Sequence, residues 1–199
     1  MHPSPRIPVS LIADTTDKQS SKSMRGFYEY LYDHVTKDER TALKYAVKHK
    51  LLAPRLSCKF CKKQLVPDKD PSQLICPGSC KRRRSVTLGS VFQTTSPHIP
   101  LSTVFKILGF WSTGYSVQLT TKLVSVDELY VKYWYTVVGD VCRRKLLLYG
   151  VPCSNYTARE IDVTWRHIFG TCIQDQQCQT HWVRLLTHMA DIRPPRLVV

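Results

Sequence analysis

Apolar residues recur at helical spacing in the first part of the chain, and this periodicity predicts two short helices. The apolar positions of the first helix are Phe27, Tyr30, Leu31 and Val35, and those of the second are Leu43, Ala46 and Val47. Thr36 and Glu39 have the spacing of a capping box and predict the start of the second helix. Because Pro54 stops that helix, we expect a helical segment over residues 25–55. Residues 1–24 are rich in Pro, Ser and Thr and predict a disordered tail.

A second helical pattern lies within residues 96–149. Its first helix is predicted by apolar residues at i, i+3, i+4, i+7 and i+10, namely Leu101, Val104, Phe105, Leu108 and Trp111. A short amphipathic segment follows over 117–123, and Ser125 and Glu128 then have capping-box spacing before a long apolar-striped helix. A helix, a short helix, a tight turn and a long helix predict a helix-turn-helix-like arrangement.

Between these two parts, residues 56–95 contain few apolar side chains and four cysteines. Cys58 and Cys61 form a CxxC pair, Cys76 and Cys80 form a CxxxC pair, and 14 residues separate the pairs. Two such turns supply four thiolates, the donor set of a closed, tetrahedral, structural Zn²⁺ site. We therefore expect a zinc ribbon of short β-hairpins over 56–95, which includes a strand-like run over 85–92 after the cysteines. The expected fold is small and α+β, with helices that flank the ribbon. Two disulfides or four unrelated thiols remain the alternatives.

The charge of the chain is concentrated around these cysteines. The net charge is +14, and residues 71–126 contain no Asp or Glu. Residues 44–84 hold twelve basic and two acidic side chains, so a surplus of eight positive charges remains after four thiolates and one Zn²⁺ are counted. Such a field attracts polyanions, although a basic surface kept for solubility is the alternative. Together with the helix-turn-helix-like pattern, this charge predicts double-stranded DNA as the partner.

The predicted DNA contacts fall into two groups. Those on phosphate flank the cysteines and are Lys59, Lys62, Lys63, Lys81, Arg82, Arg83 and Arg84. Lys132, Ser125 and Asp127, near the start of the long helix, are predicted to face a groove and to affect sequence preference. The basic run over 81–84 also fits a nuclear-import patch, and the two roles are compatible.

Targeting and redox patterns favour a reducing compartment. The first residues lack the apolar core of a secretory signal, and we expect no membrane association because the apolar stretches are too short to span a bilayer. In reducing compartments, clustered cysteines bind metal more often than they form disulfides. Together with the basic run, this predicts a nuclear protein.

The order of these motifs resembles the N-terminal part of Merlin-type transposases. The resemblance covers roughly residues 27–148. It is carried by the cysteine pairs, the sequence Ser-Val-x-x-Gly-Ser-Val-Phe ending at Phe92, Phe110-Trp111 in an apolar helix, and Trp134 and Cys142 eight residues apart. In that family a zinc ribbon and a helix-turn-helix precede a DDE catalytic core of RNase H-like fold. The resemblance therefore implies DNA binding, with a full-length transposase or a second copy of the chain as protein partner.

The carboxylates that such a core needs are missing. Residues 150–199 show no convincing periodicity apart from 181–189, so we expect an irregular C-terminal tail, at most a remnant of the core. Asp162, in the sequence Glu-Ile-Asp, is the one candidate catalytic residue, and paired-metal phosphoryl transfer needs at least two carboxylates. We expect a non-catalytic DNA-binding module. An active or partner-assisted transposase or nuclease, and a zinc-ribbon adaptor that contacts protein, are the alternatives.

Three further groups of residues have weaker patterns. Cys172, Cys178, His181 and His188 match no established metal-site spacing, and incidental Cys and His residues are the more favoured interpretation. Cys142 and Cys153 are interpreted as a buried and a loop thiol. Trp111 and Trp134 lie at apolar helical positions, which favours core packing over base stacking.

Overall fold

The computed structural model describes residues 18–93, 99–170 and 177–192, and within them the fold is α+β and mostly helical. The seven α-helices are α1 Lys18–Leu31, α2 Glu39–Lys48, α3 Leu101–Ser112, α4 Val117–Val124, α5 Glu128–Leu148, α6 Ala158–Gly170 and α7 Gln177–Ile192. The three short strands are β1 Val66–Pro67, β2 Gln73–Ile75 and β3 Arg83–Ser85. A π-helical turn, Tyr32–Thr36, connects α1 to the residues before α2.

Helix α3 lies at the centre of the helical body, and eight of its twelve residues are buried. Packing against α3 are α1, α2, α4, α5 and α7. The approach of α1 is close: a Cβ added at Gly109 would lie 2.5 Å from Leu31 Cδ2. Trp111 and Trp134 are both buried in this core, as their helical positions predicted.

The start of α2 differs from the predicted capping box. The N-cap is Asp38, whose carboxylate accepts a hydrogen bond from Thr41 N at 2.7 Å. Thr36 lies in the π-helical turn, where its hydroxyl donates to Leu31 O. The Glu39 side chain extends instead to the start of α3. A similar shift occurs before α5, where Asp127 rather than Ser125 is the N-cap.

The C-terminal residues differ most from the expectation of an irregular tail. Two helices, α6 and α7, lie within 150–199 and pack on α5 and on each other. The Trp182 indole donates a hydrogen bond to Tyr45 OH at 2.9 Å and lies edge-on to Phe105, with ring centroids 5.7 Å apart. These contacts join α7 to α2 and α3, so the last helices complete the main core.

Two other expectations differ from the structure. Of the predicted disordered tail, residues 1–17 lie outside the described residues, whereas 18–24 belong to α1. Of the strand-like run over 85–92, only Ser85 is in a strand. The following residues form turns that begin with a hydrogen bond from Leu88 N to Ser85 O, and they bring Val91 and Phe92 into the helical core.

The strands form a small antiparallel sheet in the order β1–β2–β3. Val66 pairs with Ile75, and Gln73 pairs with Ser85. This cysteine module, residues 56–85, has its own small core of Leu56, Leu65, Cys58 and Cys76, separate from the core of the helical body. So few apolar side chains bury little surface. The hydrophobic core alone therefore supplies only part of the free energy that folding of the module requires.

Candidate metal centre

Two turns of similar backbone geometry present the cysteines. In the first, Lys62 N donates to Cys58 O and Cys58 N donates to Lys63 O, at 2.9 and 2.8 Å. The second turn connects β2 to β3, and in it Cys76 N donates to Arg82 O at 2.9 Å. Each turn therefore reverses the chain so that its two cysteines face the same side.

Both turns end in the left-handed region of the backbone. Lys62 has φ +60° and Lys81 has φ +44°, and each is the residue directly after the second cysteine of its pair. Left-handed backbone is unfavourable for residues with a Cβ, and Lys tolerates it here because the turn hydrogen bonds hold the chain. The CxxC and CxxxC turns therefore end with the same backbone conformation, although the second is one residue longer.

The four sulfur atoms of the cysteines lie close together. Cys58 Sγ lies 3.5 Å from Cys80 Sγ, and Cys61 Sγ lies 3.3 Å from Cys76 Sγ and 3.7 Å from Cys80 Sγ. All four lie within 4.8 Å of one another. Zn–S bonds of ~2.3 Å in a tetrahedron place sulfurs about 3.8 Å apart, whereas disulfide sulfurs lie about 2.05 Å apart. All four cysteines are free, and the cluster has the dimensions of a four-cysteine metal site.

The surroundings of the cluster lower the pKa of one thiol, Cys58, and raise the pKa of another, Cys76. Backbone N–H groups of Cys61 and Phe60 lower the pKa of Cys58 to about 6. The side-chain hydrogen bond with Cys80, together with burial, raises the pKa of Cys76 to about 12. Four close sulfurs cannot all carry negative charge unless a cation balances them. The donor set therefore fits a divalent, thiophilic ion.

Close packing holds the two turns together. A Cβ added at Gly78 would lie 3.3 Å from Cys61 Sγ and 3.2 Å from Lys63 Cδ. Both distances are shorter than most Cβ contacts, so the absence of a side chain at Gly78 eases the approach of the second turn to the first. The aliphatic part of Lys63 lies over this point, so a basic side chain of the first turn lies against the second.

The basic residues predicted to contact phosphate have three kinds of surroundings. Those exposed on the cysteine module are Lys59, Lys62, Lys63, Lys81, Arg82 and Arg83. Arg83 is already paired with Asp68, with Nε and Oδ2 2.6 Å apart. Arg84 is half-buried, and its Nη1 is buried without a hydrogen-bond partner. The arginine run therefore does not present three equivalent charges.

The residues predicted on the long helix lie near its start. Lys132 is exposed on α5, and its ammonium lies 2.8 Å from Glu128 Oε1. Asp127 accepts a hydrogen bond from Leu129 N at 2.8 Å, so its carboxylate serves as a helix cap. Ser125 is exposed with φ +57° and ends α4. Thr120 on α4 lies 2.7 Å from Tyr135 OH on α5, and this hydroxyl contact fixes the two helices against each other.

Sequence reasoning missed Phe60. This aromatic ring lies between the cysteines of the first turn and is 59% exposed. The Arg82 guanidinium carbon lies 3.7 Å from the ring centroid, a stacking distance. The sequence feature that could have identified it is an aromatic residue inside a CxxC turn and next to lysines. The turn does not need a buried aromatic side chain in order to form.

Asp162, the candidate catalytic residue, lies in helix α6 and not in a strand. Its Oδ1 accepts a hydrogen bond from Arg166 Nε at 2.7 Å. The same guanidinium donates to Trp111 O and Ser112 O, both at 2.6 Å, at the end of α3. Burial raises the pKa of Asp162, and the Arg166 charge opposes that shift. The neighbouring Glu160 accepts a hydrogen bond from Thr157 N, and Glu160 N donates to Thr157 Oγ1, so the two residues form a capping box at the start of α6.

Of Cys172, Cys178, His181 and His188, the structure describes only the side chain of His188. Cys172 lies outside the described residues, as do the side chains of Cys178 and His181. His188 is buried, and its Nδ1 accepts a hydrogen bond from Trp165 Nε1 at 3.1 Å, so that nitrogen is not available to a metal. Cys142 and Cys153 are both buried outside the cluster.

Comparison of the chain with protein-family models, with curated proteins and with solved structures finds no match in any of the three. None of the described helices combines the length and the apolar content needed to cross a bilayer.

Proposed function

We propose that this protein binds duplex DNA, with a Zn²⁺-ordered cysteine module contacting the phosphate backbone. The observation that carries the proposal is the exposure of basic side chains on both turns of the four-cysteine cluster. Lys59, Lys62 and Lys63 come from the first turn, and Lys81 and Arg82 come from the second. Because the cluster holds the two turns together, metal binding would bring these five charges onto one continuous surface.

Zinc is the ion that best suits the cluster. Four thiolates with tetrahedral spacing are typical of structural Zn²⁺ sites, in which no ligand position remains open. A zinc ribbon likewise has two cysteine-bearing turns that would hold the metal between them. Metal binding would supply folding free energy on the order of 10 kcal/mol, which a module with so small a core requires.

The α3–α4–α5 segment supports a helix-turn-helix as the second DNA-binding element. Only Ser125, Val126 and Asp127 separate α4 from α5. In a helix-turn-helix, the first residues of the last helix contact base edges in the major groove. Lys132 and the exposed Leu129 lie on that part of α5, so this end of the helix offers both a cation for phosphate and an apolar group for thymine methyls.

The proposal includes an origin and a cellular location. The motif order favours a module derived from a Merlin-type transposase that does not cut DNA by itself, because Asp162 is engaged with Arg166. A full-length transposase or a second copy of the chain would then be the protein partner. The exposed residues of the basic run, Lys81, Arg82 and Arg83, favour import into the nucleus.

A protein-binding adaptor is the second candidate function. A cleft of about 800 Å³ lies between the cysteine module and the start of α5. Asp70, Asp127 and Glu39 are its charged lining residues, and Leu129 in its wall is 72% exposed. An apolar wall with acidic groups fits a basic, apolar peptide better than it fits phosphate.

Binding of the zinc-loaded chain to duplex DNA at increasing salt concentration separates these functions. Five phosphate contacts predict that log K falls with log[salt] with a slope of about −4.5. A DNA-binding module should show this slope for unrelated sequences. Absence of duplex binding at low salt would reject the proposal and favour the adaptor.

A further inference from the structure

The Phe60 ring and the Arg82 guanidinium form a stacked pair on the surface of the cysteine module. Phe60 belongs to the first turn and Arg82 follows the second, and the guanidinium carbon lies 3.7 Å from the ring centroid. The pair therefore depends on the same approach of the two turns that assembles the cysteines. Arg82 covers one face of the ring only, and with it in place Phe60 is still 59% exposed.

The exposed ring lies among cations. Lys59 precedes Phe60 directly, and Lys62 and Lys63 follow within the same turn. Formation of the turn itself does not need the ring, because its hydrogen bonds join backbone atoms of Cys58, Lys62 and Lys63. An aromatic side chain kept in water costs hydrophobic free energy, and here it is placed where phosphates would approach.

We propose that Phe60 is a stacking site for an unpaired nucleobase, with the base on the open ring face opposite Arg82. A base paired inside an undistorted duplex has both faces covered by neighbouring bases, whereas a base in a single-stranded overhang can expose a face to a side chain. The ring supplies the π-surface, the Arg82 guanidinium supports it from behind, and the lysines contact the phosphates on either side of the base. This inference rests on the proposed DNA binding and adds a preference for duplexes that carry an overhang.

The test compares three DNA ligands bound to the zinc-loaded full chain by fluorescence anisotropy. The ligands are a blunt duplex, the same duplex with a short thymine overhang, and the duplex with an overhang of abasic nucleotides. The abasic strand retains the phosphates and removes the bases. We expect the thymine overhang to bind about tenfold more tightly than the abasic one, and the abasic overhang to exceed the blunt duplex only through its added charge.

Two variants assign the effect to the ring. Phe60→Leu keeps an apolar side chain without a π-surface and should lose the preference for thymine over abasic overhangs, while Phe60→Trp should keep it. Blunt-duplex affinity and zinc content should be unchanged in both. An RNA overhang on the same duplex tests whether the sugar matters, and stacking alone predicts affinity within a few-fold of the DNA overhang.

Equal binding of thymine and abasic overhangs by the native chain would overturn the inference without any variant, and so would a preference that persists in Phe60→Leu. Neither result affects salt-dependent binding of the blunt duplex, on which the proposed function depends. Conversely, a native chain that ignores the blunt duplex at low salt would reject the proposed function itself.

Discussion

The Glu39 carboxylate accepts a hydrogen bond from Leu101 N at 2.7 Å, although the two residues are 62 positions apart in the chain. Ser102 N and the Ser102 hydroxyl donate to the other carboxylate oxygen at 3.0 and 2.9 Å. Helix α3 begins after Pro100, which offers no side-chain cap. A residue of α2 therefore caps the central helix and joins the first part of the helical body to the second.

Replacing Glu39 should destabilise the helical body. Glu39→Ala leaves two N–H groups at the start of α3 without their acceptor, and we expect the free energy of unfolding to fall by about 1–2 kcal/mol. Glu39→Gln keeps one acceptor oxygen and should lose less. Urea denaturation measures both. Glu29→Ala is the control, because Glu29 is exposed and pairs with the exposed Arg25. Equal losses for Glu39→Ala and Glu29→Ala would contradict a capping role.

The reduced protein should contain about one Zn²⁺ per chain, because the four-sulfur cluster forms a single closed site. Cys58→Ser or Cys76→Ser should release the metal and unfold the cysteine module. Since the module has its own core, amides of α3 and α5 should stay protected from hydrogen exchange while those of the module lose protection. Metal analysis and hydrogen exchange measure the two effects. Cys153→Ser, a buried cysteine outside the cluster, should keep full zinc content. Native protein that is folded, reduced and free of zinc would reject the site.

His188 should make stability depend on pH. Burial lowers the pKa of His188 from 6.5 to about 4, and the nearby charges of Lys145 and Arg184 act in the same direction, against that of Asp191. The folded state therefore holds His188 neutral while the unfolded chain takes up a proton below pH 6.5. The contribution of His188 to the free energy of unfolding is therefore fully present above pH 6.5 and is lost as the pH falls towards 4. His188→Gln should reduce the change of the free energy of unfolding across this pH range, as measured by urea denaturation. Replacement of the exposed His167 by Gln should not. Identical pH profiles for the native chain and His188→Gln would contradict the assignment.

Asp162 should contribute to stability and not to strand cutting. Its carboxylate orients Arg166, which caps α3, so Asp162→Asn should lower the thermal unfolding temperature. Incubation with Mg²⁺ or Mn²⁺ and DNA substrates should show no cleavage by the native chain or by the variant. Cleavage by the native chain that disappears in Asp162→Asn would establish an enzyme.

The sequence predicted the parts of this fold that depend on neighbouring residues. Apolar spacing located α3 and α5, and cysteine spacing located the four-sulfur cluster, because both signals act within a few turns of chain. It did not locate the partner of Glu39 or of Arg166, since each caps a helix distant in sequence. Helix α6 was missed although Ile161, Trp165 and Phe169 recur at every fourth position and are buried. The Cys and Gln residues scattered through the sequence after it obscured that stripe. Phe60 was missed because an exposed aromatic side chain has no periodicity.

The central claim, that exposed charges of the cysteine module bind DNA phosphate, is tested most directly by salt titration of a charge variant. Lys59, Lys62 and Lys63 are exposed around the cluster, and Lys37, Lys44 and Lys48 are an equal number of exposed lysines before and within α2. Replacing the first three with Gln should make the slope of log K against log[salt] less steep by about 2–3. Replacing the second three should leave it nearly unchanged. Equal slopes for the two triple variants would contradict the account.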